Sequence, residues 1–165
     1  MEEVRKDRKI AFVLAGTGHL EKLLKRKAER LPNLFLAGWI PKTSLQRFLR
    51  SVDICYAGLL NIRSFAYGSD STKLYEYMKA SRPILHAIGD INSVVVRAEC
   101  GLRVAPESGA ALAKGVETMA GMNQAELKAL GRKAFEFVRT QRNYDVLTDK
   151  WIAMFERLKR HSEQP

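Results

Sequence analysis

The chain has 165 residues and 46% hydrophobic content, enough for one globular domain with a real core. No apolar run approaches the ~20 residues of a membrane-spanning helix, and the charged start MEEVRKDRK lacks the apolar centre of a secretory signal. The formal charge of +10 suits nucleic acid, an anionic membrane surface or an anionic substrate, but the basic residues are spread out and no RNA-binding aromatic signature or zinc-finger spacing accompanies them, which argues against nucleic acid.

Residues 10–15, IAFVLA, form a continuous apolar run closed by Gly16-Thr17-Gly18. A run apolar on both faces predicts a central parallel strand. His19 to Arg30 carries leucines at 20, 23 and 24 among charges, the pattern of an amphipathic helix. Pro32 and Asn33 break it, and LFLAGW follows as a short strand closed by Gly38. Pro41–Arg50 starts as a helix, with Thr43 or Ser44 able to cap it and Leu45, Phe48 and Leu49 as its buried stripe. DICYAGLL, from Asp53, is the next strand. Residues 60–70 form a longer irregular loop, which in a compact domain goes with function or mobility.

The helix Thr72–Ala80 leads through Ser81-Arg82-Pro83 to the strand ILHAI. A helix is expected from Gly89-Asp90 to about Glu99, then a short strand LRVA, then helices at Ala110–Ala120, 124–140 and Tyr144–Arg160. Strand and helix alternate without Asn-Gly hairpin signals, which implies right-handed βαβ units and an α/β fold with a parallel sheet. Ligands of such sheets bind outside the carboxyl ends of the strands. The loops Gly16–Gly18, Gly38–Pro41, Gly58–Thr72 and Gly89–Asn92 lie at that edge. The loops of the other edge, Ser81–Pro83 among them, are expected to carry no comparable chemistry.

The stretch YGSDSTKLYEYMKASRP, Tyr67–Pro83, concentrates the candidate chemistry. Gly68, Ser69, Asp70, Ser71 and Thr72 make a small, hydroxylated loop that runs into a helix, with Lys73 at the junction and Glu76 one turn on. Free backbone N–H groups and the positive end of a helix suit a phosphate. A carboxylate only accepts hydrogen bonds, so it suits sugar hydroxyls. A plainer arrangement is also open, with Ser71 as a cap and Lys73 and Glu76 solvated. AGTGHL is not a full dinucleotide fingerprint, because Glu21 replaces the third glycine; a tight turn open to a ligand is the expectation there. Cys55 and Cys100 sit in apolar runs without CxxC spacing, and no histidine is near another or near a cysteine. Buried reduced thiols, a cytoplasmic setting and no metal site follow as expectations.

The segments FVLAGTGHLEKLLKR, NLFLAGWIPKTSLQRFLRSVDICYAGL and YGSDSTKLYEYMKASRPIL, in that order, resemble the C-terminal half of the family 4 (group 1) retaining glycosyltransferases of GT-B fold. The likeness runs over about residues 10–158, and its Gly-x-x-x-x-Lys-Leu-x-Glu-Tyr-Met form is most similar to enzymes that build bacterial surface polysaccharides. It implies a Rossmann-like parallel sheet with helices on both faces. Residues 1–142 would form the nucleotide-sugar-binding domain, and 143–165 a C-terminal helix reaching toward an N-terminal acceptor domain. It implies a nucleotide-sugar substrate, uridine-linked, and no cofactor. By position, Glu76 matches the glutamate that binds the donor ribose. Ser69, Asp70, Ser71 and Thr72 match the loop that meets the sugar and diphosphate, and Lys73 would add its charge there. Trp39 and Ile40 match the segment that frames the base, and Gly16 and Gly18 the first loop near the phosphates.

The departures matter too. Gly68 stands where many members carry a first glutamate, and Ser81 where the family has glycine. The family's opening strand, with its arginine and lysine, and the acceptor domain have no counterpart here, so the chain reads as part of a longer enzyme and inactive alone. Two other readings are a nucleotide-sugar 2-epimerase of the same fold, which would need a histidine and acids in the cleft, and a non-catalytic binding or scaffold domain whose basic surface meets nucleic acid or the inner face of a membrane. An exposed Trp151 and Phe155 on the last helix would favour a homodimer.

Overall fold

The structure, a computed structural model, describes residues 10–63, 65, 71–90 and 93–162. The elements alternate as β1 (Phe12–Ala15), α1 (Glu21–Ala28), β2 (Leu34–Gly38), α2 (Lys42–Leu49), β3 (Cys55–Gly58), α3 (Thr72–Lys79), β4 (Ile84–Ala87), α4 (Val94–Arg97) and β5 (Gly101–Val104). Three helices close the chain: α5 (Gly109–Ala120), α6 (Gln124–Gln141) and α7 (Tyr144–Ser162).

Every strand pairing is parallel, as the alternation implies, but the described strands form two sheets, β1-β2 and β3-β4-β5. The expectation of a central strand at residues 10–15 therefore shifts. Among the described residues β1 bonds only to β2, and Val13 is 41% exposed. The central strand is β4, where Ile84, Leu85, His86 and Ala87 are all buried between β3 and β5. An apolar run reveals affinity for a sheet, not the number of neighbours it finds there.

The main core lies between β3, β4 and the helices α3, α4 and α6. Leu74, Met78, Ile84, Val95, Cys100 and Ala134 are fully buried in it. A second cluster joins Leu49 of α2 to Cys55 and Ala80, with Leu45 and Phe48 packed against it. This is the stripe expected for α2. Fully burying a side chain such as Leu74 or Met78 contributes about 1.5–3 kcal/mol, so α3 is held from its inner face. Burial pushes both cysteine thiols up to about 12, which leaves them protonated and inert.

Several element ends differ from expectation. α2 is capped by Pro41, with ψ 142°, and Thr43 and Ser44 fall inside its first turn. Proline's fixed φ presets the entry to the helix, and its missing N–H is no loss there. The helix expected from Gly89 shrinks to α4, because Ser93 caps it by accepting from Val95 N at 3.3 Å; Ile91 and Asn92 lie outside the described residues. Ser81 has φ +57°. That left-handed conformation costs a non-glycine residue about 1–2 kcal/mol, which explains the glycine at this position in the resembling family. A Cβ on Gly131 of α6 would collide with the Ser81 carbonyl oxygen, so α6 closes directly over that turn.

His86 is 1% exposed. Its Nδ1 lies 2.8 Å from Ser93 Oγ, and its Nε2 is buried without a partner. Burial pulls its pKa below 6.5, against the opposing pull of Asp90. The unfolded chain therefore binds more protons than the folded one below about pH 6.5. Stability is retained above that pH and falls as the pH drops through it. Thermal denaturation from pH 8 to pH 5 is expected to give a falling Tm, with a shallower slope in His86→Gln.

Among the described residues no helix is long and apolar enough to cross a membrane. On α7, Trp151 and Phe155 are exposed and stack with ring centroids 5.9 Å apart.

Candidate functional site

Within each sheet the parallel strands put the described parts of the expected loops at their carboxyl ends. After β1 the chain turns at Gly16, where φ is +123°, a value that side-chain-bearing residues rarely adopt. Gly16 N donates to Gly38 O at 2.6 Å. This bond joins the turn containing Gly16 and Gly18 to the end of β2, where Trp39 and Ile40 follow. Apart from each glycine and its chain neighbours, no atom of the described residues stands within 4 Å of where a Cβ would sit on Gly16 or Gly18, so the turn is open to a ligand. Trp39 is 69% exposed and Ile40 half-buried. An indole so exposed offers a flat apolar face next to the backbone turn.

The chain then enters α2, which carries Gln46 to α3. Gln46 Nε2 donates to the Glu76 carboxylate oxygen Oε2 at 2.6 Å and to the Glu76 main-chain oxygen at 3.2 Å. Glu76 is half-buried, so the plainer arrangement with a solvated Glu76 does not hold. Lys73 is exposed. At the head of α3, Ser71 adopts extended backbone at φ −91° and ψ 118° but makes no side-chain cap bond. Ser71 thus occupies the N-cap position of α3, as the plainer arrangement has it, without a side-chain bond. The first-turn N–H groups of α3, those of Thr72 and Lys73 among them, point out of the helix with no intrahelical acceptor. Gly68, Ser69 and Asp70 lie outside the described residues.

The loops after the other sheet are also tied together. Leu59 N bonds Ala87 O at 3.0 Å, Asn61 N donates to Glu107 Oε2 at 2.9 Å, and Gly89 lies beside the Asn61 side chain. Asn61, Glu107 and Gln46 are residues that the sequence does not single out. Gln46 is 30 residues from Glu76, and it occupies an ordinary polar position on an amphipathic helix, so nothing in the spacing marks it.

The opposite edge is less empty than expected. Asp53, Ser81, Arg82, Lys128 and Arg132 line an open cleft where the turn before β4 meets α6. It is a basic surface at the other end of the strands from the carboxyl-edge loops, and it is the natural rival for an anionic ligand.

Chemically, the first turns of α3 carry an exposed cation, Lys73, and a carboxylate, Glu76, bonded to Gln46, while the end of β2 carries an exposed indole, Trp39. Among the described residues no group of His, Cys, Asp and Glu side chains could hold a metal ion.

Residues 1–121 match the family profile described as glycosyl transferases group 1. No curated protein matches the chain. Among solved structures, a mutant of S. aureus TarM in complex with fondaparinux, α-GlcNAc-glycerol and UDP is similar, with TM-score 0.71 and 18% identity over 92% of this chain and 30% of that one. WaaG, a glycosyltransferase involved in lipopolysaccharide biosynthesis, gives TM-score 0.62 and 18% identity over 85% of this chain and 36% of that one. Anabaena HepE in complex with UDP gives TM-score 0.60 and 17% identity over 90% of this chain and 41% of that one. The chain thus spans between 30% and 41% of the length of these three proteins. At such identities the likeness establishes the shared fold.

Proposed function

The chain belongs to the group 1 glycosyl transferases, and from that membership we propose that it is the donor-binding half of a retaining enzyme, holding a nucleotide-diphosphate sugar across the carboxyl edge of its strands. Uridine is the base we assign, supported by the UDP present in two of the similar structures. Glu76 takes the ribose hydroxyls, and the base lies against Trp39 and Ile40. The diphosphate meets the start of α3 and Lys73. The observation that carries this reading is the half-buried Glu76, bonded to Gln46 one turn inside a helix whose N-cap residue, Ser71, makes no side-chain cap bond.

In transfer, the leaving diphosphate gains negative charge as the bond from the sugar breaks. Fixed positive charge and outward N–H groups at the head of α3 stabilise that charge without reorganising. The remaining contribution is positioning of donor against acceptor. The acceptor, a polysaccharide or a lipid-linked sugar, is bound by a separate unit, so the chain alone binds donor and does not transfer sugar.

Calorimetric titration with uridine diphosphate tests the site. Lys73→Ala is expected to weaken binding by less than about tenfold, because an exposed charge is screened by water, and the loss should shrink as salt rises. Binding that is unchanged in both Lys73→Ala and Glu76→Ala would remove the assignment.

A further inference from the structure

The bond between α2 and α3 has an uneven chemistry. Glu76 as a carboxylate can only accept, so the Gln46 amide must present its nitrogen to it. Nε2 then serves both the carboxylate oxygen and the main-chain oxygen of the same residue, at 2.6 and 3.2 Å. The other end of the amide bears the consequence: Gln46 Oε1 is buried with no hydrogen-bond partner.

An orphaned buried acceptor destabilises a fold, whereas an apolar side chain of the same shape leaves no such group. Leucine or methionine at position 46 would remove the orphaned acceptor but would leave the Glu76 carboxylate without its donor. What glutamine alone supplies is a fixed carboxylate. One bond anchors the Gln46 amide to the Glu76 main chain, and the other ties the Glu76 carboxylate to that amide. They occupy one lone pair of Oε2 and leave Oε1 and the rest of Oε2 to accept from a ligand. The same helix begins at Lys42, directly after Trp39, Ile40 and Pro41. Gln46 thus links the helix that follows the exposed indole with the carboxylate on α3.

We propose that Gln46 is a positioning residue for donor recognition: it orients the Glu76 carboxylate to receive two vicinal hydroxyls of the nucleotide ribose and so makes the site select ribonucleotides over 2′-deoxyribonucleotides. The proposal rests on the reading of Glu76 as the ribose ligand, and it adds a specificity that membership of the family does not by itself assign to position 46.

The test compares uridine diphosphate with 2′-deoxyuridine diphosphate by calorimetry, on the wild-type chain and on Gln46→Leu. The wild type is expected to prefer the ribonucleotide on the order of tenfold, the size of one hydrogen bond to a charged group. Gln46→Leu should bring the two affinities together while the folded state persists. A wild-type preference that survives Gln46→Leu overturns the role of Gln46 and leaves Glu76 as the ribose ligand. A wild type with no preference overturns the Glu76 reading and this proposal together.

Gln46→Glu supplies an arm that packing cannot imitate. Near neutral pH two carboxylates face each other and repel, so the preference is expected to be lost. As the pH falls, one carboxyl takes up a proton and can donate to the other, and the preference should return. If Gln46→Leu does not fold, this variant decides. Recovery in acid supports the proposal, and a preference that is either intact near neutral pH or absent throughout overturns it.

Discussion

Glu76→Ala is expected to lower the affinity of the chain for uridine diphosphate at least tenfold and to shift its folding stability by only about 1 kcal/mol. The two figures differ because the carboxylate faces two ways. Toward a ligand it is a charged acceptor, and each hydrogen bond to a charged group is worth about 1.5–3 kcal/mol. Toward the protein it accepts one bond from Gln46, and Gln46 Nε2 keeps its second bond to the main-chain oxygen when the side chain is cut back. Glu76→Gln should fall between, since an amide retains a single uncharged acceptor oxygen. Titration calorimetry and thermal denaturation on the same preparations separate the two effects. An affinity unchanged in Glu76→Ala would return the residue to the status of a helix-pairing group.

Leu74→Ala is expected to show the reverse signature. Leu74 lies two positions before Glu76 on the same helix, 0% exposed, among Met78, Ile84 and Val95. Emptying a buried leucine site costs about 2–5 kcal/mol, the transfer term plus the cavity left behind. Against a total stability of about 5–15 kcal/mol this is a large share, so the urea midpoint should fall markedly with an unchanged slope. Binding of uridine diphosphate should weaken only as far as the folded population shrinks, and saturating ligand should restore part of the stability. Equal stability losses in Leu74→Ala and Glu76→Ala would mean that α3 is not divided into a core face and a ligand face.

Those two faces are legible in the amino-acid sequence itself. KLYEYMKA places Leu74 and Met78 one turn apart, with Lys73 and Glu76 on other sides of the helix. The stripe Leu45, Phe48 and Leu49 is equally plain, because helical spacing of apolar residues reports which side is buried. The alternation of strands and helices implies the parallel pairing, because parallel neighbours need a crossover between them. What the chain does not disclose depends on contacts distant in sequence. The apolar run at residues 10–15 has the pattern of a central strand and, among the described residues, is a strand with one bonded neighbour. The turn at Ser81–Pro83 reads as inert and lines a basic cleft, because Lys128 and Arg132 come to it from α6. Gln46 carries no signal at all, since its meaning lies in one bond to a residue on another helix. The expected loop at Gly68, Ser69 and Asp70 falls outside the described residues.

The most direct test of the central claim is an amide-resolved NMR titration of the chain with uridine diphosphate. The account predicts shifts that saturate together at Gly16, Gly18, Trp39 and the start of α3 from Ser71 to Glu76. Saturable shifts confined to Ser81, Arg82, Lys128 and Arg132 would place the anion in the cleft at the other edge, and would contradict a donor site at the carboxyl ends of the strands.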